Sequence, residues 1–257
     1  MKFFGVLFSV FIALFLTGCG TQESDKVKTK DIYVQANATV GSDTFKYNNI
    51  SVRMYEKDGL KRSVELVGDE YLTVSYNNQI VKLKGRTGYS GPWYETLFPY
   101  DGKTGVLTVT FHRNDGTTIP MSVEMVEPFN VTSPSALTEY EEYETIPLRW
   151  EVPTSLSQHF NVQVKLGSPS LNVSSNEIMA LTDNGYHEFV LSKLADNLRK
   201  DAEKKGLKLD MAESCWMNLK LSRYNEKSLS GGFSNSSYIR VSFDKEITDL
   251  KMMLSSN

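Results

Sequence analysis

The sequence has few of the residues that usually carry chemistry in an active site. Its 257 residues include two Cys and three His, and no two His have the HxH or HExxH spacing of a zinc site. The CxxC, G-x-S-x-G, P-loop and G-x-G-x-x-G motifs are also absent. The sequence therefore predicts no catalytic residue, no metal and no cofactor, and we expect a protein that is not an enzyme.

An excess of positive charge is also lacking. Lys and Arg number 28 against 31 Asp and Glu, which gives a formal net charge of −3. Nucleic-acid-binding domains usually carry clustered basic residues, so no nucleic-acid partner is predicted. The remaining composition, with 40% hydrophobic residues, 17 Gly and 8 Pro, is that of a globular protein and excludes collagen-like and wholly disordered classes.

The amino terminus has the pattern of an export signal. Lys2 precedes an apolar run of fourteen residues, Phe3 to Leu16. A membrane-spanning helix needs about 20 apolar residues, so the run suits the hydrophobic region of a signal peptide better. An ordinary signal peptide with an accidental cysteine, or a short membrane helix, is the alternative interpretation.

The tetrad Leu16-Thr17-Gly18-Cys19 resembles the bacterial lipobox, in which the cysteine is acylated and becomes the first residue. The resemblance implies a signal peptide over 1–18, a lipid on Cys19 and a membrane as partner through that lipid. By similarity to Gram-negative sorting, Gly20 favours the outer membrane, on its periplasmic or surface face. Residues 19–30 are predicted to form the lipidated amino terminus and a flexible tether, because all residues after Cys19 in this segment except Val27 are polar or glycine.

Acylation of Cys19 would leave Cys215 without an intrachain partner, so no disulfide is predicted. Two interpretations of Cys215 stay open. It is either a nucleophile or a small buried residue at the start of a strand.

From residue 31 onward, apolar and polar residues alternate with period two. Leu107, Val109 and Phe111 share one face of a predicted strand, and the turn residues Asn114-Asp115-Gly116 follow it. Short strands separated by such turns predict an antiparallel β-sandwich over 31–127.

A second β-sandwich is predicted over 128–254. Two prolines, Pro128 and Pro134, interrupt the strand pattern at the boundary. The stretch Pro128 to Pro134, followed by Leu148-Arg149-Trp150, resembles the opening of an immunoglobulin-like or fibronectin-III-like domain. That resemblance implies a core tryptophan at Trp150 and a tyrosine corner at Tyr186. Bacterial lipoproteins with tandem domains of this type are the group that the whole chain resembles.

Two segments of the second unit depart from this pattern. Leu191, Leu194, Leu198 and Ala202 have helical spacing, and Gly206 follows them, so an amphipathic helix is predicted over 190–205. Its apolar stripe either packs on the sandwich or binds a partner.

The acidic run 139–144 lacks the spacing and glycine of a calcium loop and is predicted to be a solvated linker.

The candidate contact site is an aromatic segment in the first unit. Five rings occur within twelve residues, at Tyr89, Trp93, Tyr94, Phe98 and Tyr100. Such rings either contact a sugar or a peptide, or fill the open end of the sandwich. The sequence thus predicts a membrane-anchored lipoprotein with a non-enzymatic binding or structural role, whose partner is an envelope protein or a glycan. The alternative is a carbohydrate-active or other envelope hydrolase, or a glycan-binding module.

Overall fold

The computed structural model describes residues 20–41, 48–57, 62–154, 159–209, 214–229 and 232–255. The predicted signal peptide and Cys19 lie outside the described residues. The described chain is mostly strands with one α-helix, so the predicted all-β class is confirmed.

The first ten strands precede the predicted boundary: β1 (Gln22–Glu23), β2 (Ile32–Val40), β3 (Asn49–Glu56), β4 (Val64–Glu65), β5 (Tyr71–Tyr76), β6 (Gln79–Lys82), β7 (Lys84–Gly88), β8 (Gly91–Leu97), β9 (Val106–His112) and β10 (Thr118–Glu124). The remaining elements follow it: β11 (Val131–Ser133), β12 (Glu139–Glu141), β13 (Thr145–Trp150), β14 (His159–Ser168), β15 (Val173–Leu181), β16 (Tyr186–Val190), α1 (Leu191–Lys204), β17 (Ser214–Ser228) and β18 (Tyr238–Met253).

Three main sheets form the β-sandwich architecture. One has the order β10-β9-β5-β6, a second has the order β11-β13-β16, and the largest has the order β15-β14-β17-β18-β2-β3-β8-β7 with β12 beside β18. Leu107, Val109 and Phe111 of β9 are completely buried, as the period-two pattern predicts. The predicted hairpin of β9 and β10 also forms, with His112 opposite Thr118.

One long hairpin, β17 and β18, belongs to both halves of the molecule. The first part of β18, Tyr238 to Phe243, pairs in parallel with β2. Further along, β17 pairs with β14 in the second half. The division into separate sandwiches over 31–127 and 128–254 misses this sharing, because the pairing of β18 with β2 joins residues about 200 positions apart, which local sequence patterns do not encode.

The link between the halves is buried. Val126 is completely buried, and the backbone N–H of Met125 donates to the carbonyl of Gly105 at 2.8 Å. Phe129 packs between Phe160 and Phe243, with ring centroids 5.5 and 5.4 Å apart. The hydrophobic core is therefore continuous across the predicted boundary.

The predicted helix is present as α1, and its apolar stripe packs on the sandwich. Leu191, Leu194, Ala195, Leu198 and Ala202 are all buried. Gly206 has φ +70 directly after the helix, which is the conformation that a C-terminal glycine supplies. In the part of the chain that the structure describes, no helix has the length and apolarity needed to cross a bilayer.

Most of the segment predicted as a flexible tether is folded. β1 pairs in parallel with β4, and short 3₁₀ helices follow at Ser24–Lys26 and Thr29–Asp31. Ser24 and Val27 are buried. The expectation for residues 22–30 is therefore corrected. Their polar composition did not prevent docking, because hydrogen bonds from the half-buried Arg113 add to the few apolar contacts.

The acidic run 139–144 is also only partly a solvated linker. Residues 139–141 form β12, which pairs in parallel with the end of β18. Glu142 is buried and accepts hydrogen bonds from Arg199 of α1 at 2.5 and 2.6 Å. Its third partner is the backbone N–H of Ser255, at 2.8 Å. The prediction failed at Glu142 because its charge is neutralised by a residue 57 positions away.

The immunoglobulin-like features are present in part. Trp150 is buried and stacks on Phe160 at a centroid distance of 4.4 Å, as the resemblance implies. Tyr186 forms no tyrosine corner, because its ring is exposed beneath Arg149 and its hydroxyl donates to the side chain of Glu188. Cys215 is completely buried in β17, which favours the structural interpretation of that residue over the nucleophile.

Candidate binding surfaces

The aromatic segment lies on the hairpin of β7 and β8 and the chain that follows it, and its rings separate onto two faces. Tyr94 and Phe98 point inward and are buried. The Tyr94 hydroxyl accepts a hydrogen bond from the backbone N–H of Leu66 at 2.7 Å. Phe98 packs edge-on against Tyr76 at 6.4 Å. These two candidates fill the sandwich core and cannot touch a partner, so their assignment as contact residues is corrected.

Tyr100 is half-buried beside a small polar cleft. Its hydroxyl donates to the carbonyl of Val126 at 3.3 Å, and burial together with the Asp101 charge raises its pKa to about 12. The Tyr76 hydroxyl donates to Asp101 at 2.8 Å, and Asn77 donates to the same carboxylate. The oxygens of the Asp101 carboxylate thus already accept hydrogen bonds from this chain. We therefore interpret the adjoining cleft of about 270 Å³ as a structural feature rather than an open ligand site.

The other two candidate rings face outward. Tyr89 is fully exposed at the tip of the β7–β8 hairpin, and Gly91 at φ +92 closes that turn. Trp93 lies on the outer face of the large sheet, and its Nε1–H donates to Glu95 at 2.9 Å. Hydrogen bonds from Trp93 and Arg86 lower the pKa of Glu95. Trp93 is thus held in one orientation and is half-buried on the outer face of the sheet.

Trp93 belongs to a row of side chains from five neighbouring strands, in the order Arg86, Trp93, Arg53, Gln35 and Tyr238, which we call the cross-strand row. Strand register pairs Arg86 with Trp93, Arg53 with Gln35, and Gln35 with Tyr238, and the contact between Arg53 and Trp93 joins the two parts. The guanidinium of Arg53 lies 5.9 Å from the centre of the Trp93 ring. With strands about 4.8 Å apart, the row is about 19 Å long.

The neighbouring positions extend the same chemistry. Tyr33 and Tyr55 lie together on one side of the row, with ring centroids 6.1 Å apart. On the other side, Arg240 lies over Tyr224 and Tyr238 at 4.7 and 5.6 Å and pairs with Glu226. The surface therefore combines half-exposed tyrosines, one tryptophan and arginines, the residue types enriched where proteins bind partners.

A cavity of about 410 Å³ adjoins this surface where the two halves meet. Its lining includes two carboxylates, Glu124 and Glu226, and the imidazole of His159, which stacks on Tyr224 at 5.1 Å. A hydrolase with two acidic groups would have to place them in such a cleft. Glu226, however, is already bound by Arg240. The hydrolase alternative therefore stays a prediction without a geometric argument in its favour.

The described residues provide no candidate metal site. Among them, no three His, Cys, Asp or Glu side chains come together in a way that could hold an ion. His112 and His187 are instead engaged in packing: His112 stacks on Tyr71 at 4.3 Å, and His187 packs edge-on against Phe189 at 4.9 Å.

Sequence reasoning found Trp93 but missed the rest of the cross-strand row. The members lie far apart in the chain, and only strand register brings them together. A usable signal was present in the outward positions of β2, where Tyr33 and Gln35 alternate with completely buried Val34 and Ala36. Single aromatic residues on the polar side of a strand are common, so this signal gains weight only where several such residues meet on one face.

No protein-family model matches the chain, and no curated protein matches it in sequence. Among solved structures, it is similar to a cytokine receptor complex, with a TM-score of 0.29 and 7% identity over 73% of this chain and 89% of that one. A two-domain fibronectin type III segment of chicken tenascin gives a TM-score of 0.20 and 11% identity, over 84% and 97% of the two chains. A titin I-band fragment gives 0.23 and 9%, over 83% and 65%. These likenesses are too weak for an inference about function.

Proposed function

We propose that this protein is a lipoprotein of the bacterial envelope, anchored through Cys19, that binds an envelope protein or a glycan across the cross-strand row. The single observation that carries the binding role is the alignment of Trp93, Arg53 and Tyr238 on one accessible sheet face. The anchoring role is supported by the lipobox-like sequence that ends at Cys19.

The chemistry of the row favours binding over catalysis. Its rings offer half-exposed apolar surface. Its arginines are oriented by contacts with Glu95 and Ser90 and offer their remaining N–H groups at fixed spacing on a rigid sheet. Tyrosine and tryptophan supply large contact areas with little loss of conformational entropy, and together with arginine they dominate the energetics of many interfaces. A sheet face of this kind suits either an extended protein surface or a glycan chain stacked on the rings.

The binding role can be tested by crosslinking in cells and by affinity measurement. A photo-reactive amino acid at Trp93 or Tyr238 should capture an envelope component. Trp93→Ala and Tyr238→Ala should then each weaken binding of that purified component at least tenfold, which is the effect of truncating a hot-spot residue.

Tyr71 is the matched control for this experiment. It is a half-buried ring on the four-stranded sheet, stacked on His112 and lying 4.4 Å from the amine of Lys82. Tyr71→Ala removes a comparable ring from a surface outside the row and should leave affinity unchanged. Equal affinity of the Trp93→Ala, Tyr238→Ala and Tyr71→Ala variants would show that the row is not the binding surface.

The anchor is tested separately. Cys19→Ala should leave the precursor uncleaved or soluble and without incorporated fatty acid. If the variant still takes up labelled palmitate, the assignment of Cys19 as the lipidated residue is wrong.

A further inference from the structure

We infer that the tip of the β7–β8 hairpin, with the ring of Tyr89 at its end, rests in the headgroup region of the same bilayer that holds the lipid of Cys19. This inference rests on the proposed lipidation. It adds that the folded body touches the membrane at one defined point, which fixes its orientation, instead of moving freely on a tether.

The first argument is the shortness of the connection. Residues 22–31 are folded against the sandwich, so only Gly20 and Thr21 separate the lipidated cysteine from β1. Three residue steps span at most about 11 Å. The start of β1 must therefore lie within about 11 Å of Cys19, whose acyl chains are inserted in the bilayer.

The second argument is the position of Tyr89 relative to β1. The backbone N–H of Gln22 donates to the carbonyl of Ser63 at 2.8 Å. The hydroxyl of Ser63 in turn donates to the carbonyl of Ser90 at 3.3 Å. Ser90 follows Tyr89 in the hairpin turn. Two hydrogen bonds through Ser63 therefore connect the turn that carries the exposed ring to the first residue of β1.

The third argument is the chemistry of the ring. Tyr89 is fully exposed, and among the described residues it has the highest exposure of the large hydrophobic side chains. Tyrosine is enriched at the membrane interface, where an apolar ring and a polar hydroxyl are both accommodated. The headgroup region is about 5–8 Å thick on each side, which a side chain at a hairpin tip can reach.

Charge does not oppose this placement. The docked segment carries three acidic residues, Glu23, Asp25 and Asp31, against three lysines, Lys26, Lys28 and Lys30. Lys26 and Glu23 form an ion pair with each other. The docked segment is therefore neutral and does not repel an anionic lipid surface.

The experiment uses the full lipidated protein reconstituted into phosphatidylcholine vesicles. Tyr89→Cys is labelled with the environment-sensitive fluorophore NBD; Cys215 is completely buried and should not react. The matched control is Asn172→Cys, an exposed turn position between β14 and β15. The turn lies near the carboxyl end of β18, whereas Tyr238 lies at its start, on the side of the β7–β8 hairpin. The two ends are about 40 Å apart along the strand. Vesicle flotation and the mass of the amino-terminal peptide report lipidation independently.

We expect the label at residue 89 to shift its emission to the blue and to lose most of its intensity when nitroxide-headgroup lipid is added, while the label at residue 172 does neither. Insertion of about 20 Gly/Ser residues after Gly20, which adds about 25 Å of reach, should relieve most of the quenching. Protein that floats with vesicles but shows no quenching at residue 89 overturns the membrane contact and leaves the lipoprotein proposal standing. Protein that carries no lipid and does not float overturns both.

Discussion

Two arginines, the buried Arg223 at the junction of the halves and the half-buried Arg113 at the amino-terminal end, have similar surroundings. Each lies over a phenylalanine ring, Arg223 over Phe129 at 4.7 Å and Arg113 over Phe111 at 5.5 Å. Each pairs with one buried carboxylate and also donates to backbone carbonyls of a neighbouring segment. Each therefore holds a piece of irregular chain through its backbone carbonyls.

The partners of the two arginines differ in how completely they enclose the cation. Arg223 is 1% exposed; it pairs with Asp183 and donates to the carbonyls of Glu127, Pro128 and Glu151. All five of its N–H groups have acceptors. We call this set the junction cluster.

Arg113 is more accessible, at 11% exposed, and holds the amino-terminal segment 22–31. It pairs with Glu70 at 3.1 Å. Its other acceptors are the carbonyls of Ser24 and Val27 and the hydroxyl of Thr29. We call this set the terminal cluster. The comparison suggests that the junction cluster supports global stability, whereas the terminal cluster holds one segment that can detach locally.

The largest expected effect is at the junction. Arg223→Met removes the cation and leaves the Asp183 carboxylate buried, which should lower the free energy of unfolding by about 3–5 kcal/mol. Urea unfolding of the purified protein measures the change. The double variant Arg223→Met/Asp183→Asn should lose less than the sum of the single variants, because no uncompensated charge remains. Additive losses would show that the pair is not coupled.

The terminal cluster should respond with a smaller and more local change. Arg113→Ala should lower the free energy of unfolding by about 2–3 kcal/mol, the range for lost hydrogen bonds to a charged group. Trypsin should then cut after Lys26, Lys28 or Lys30 in protein whose core strands stay protected from hydrogen exchange. Arg86→Ala, which breaks only the exposed pair with Glu95, is the control. A global loss as large as that of Arg223→Met would contradict the distinction between the two clusters.

Both arginines could have been suspected from the sequence. In β9, the inward positions Leu107, Val109 and Phe111 lead to Arg113 at the next position of the same register. In β17, the inward positions from Cys215 to Leu221 lead to Arg223 in the same way. An arginine that continues an apolar alternation is therefore a candidate for an inward-facing cation, which needs a carboxylate partner when it is removed from solvent.

Local patterns predicted the strands, hairpins and helix because each depends on residues a few positions apart. The partners of the two arginines could not be predicted in that way, since Asp183 lies 40 positions from Arg223 and Glu70 lies 43 from Arg113. The cross-strand row was hidden for the same reason, because the parallel pairing of β18 with β2 sets its register. Long-range pairing, rather than local propensity, determines both the junction and the candidate binding surface.

The ion pair of Arg199 and Glu142 is a third contact between an arginine and a buried carboxylate, and we expect its contribution to stability to depend on pH. Hydrogen bonds from Arg199, with a further one from the Ser255 N–H, lower the pKa of Glu142. A carboxyl whose folded pKa is lowered adds stability above its unfolded pKa, about 4.3, and loses it as the pH falls through the folded value.

Glu142→Gln should therefore destabilise the protein by about 1–2 kcal/mol at pH 6 and by much less at pH 3. Urea unfolding at the two pH values measures the difference. Glu226→Gln breaks the more exposed pair with Arg240 and provides the control, with a change below about 1 kcal/mol at either pH. A destabilisation by Glu142→Gln that is equal at both pH values would show that the charge of Glu142 contributes nothing.

The smallest expected change in stability is at Arg53, whose cation lies over an exposed ring rather than a buried one. Arg53 stacks on Trp93 and donates to the hydroxyl of Ser90 at 3.2 Å, with no carboxylate among these contacts. Arg53→Ala should cost about 0.5–1 kcal/mol of stability, the range for an exposed cation–π contact.

The same substitution should weaken partner binding tenfold or more, because arginine at the centre of an interface contributes strongly to affinity. Arg53→Lys keeps the charge but not the planar stacking group, and should restore stability more fully than affinity. Arg53→Ala could instead destabilise the fold as much as Arg113→Ala and leave binding intact. The contact between Arg53 and Trp93 would then be structural, and the cross-strand row would not be the binding surface.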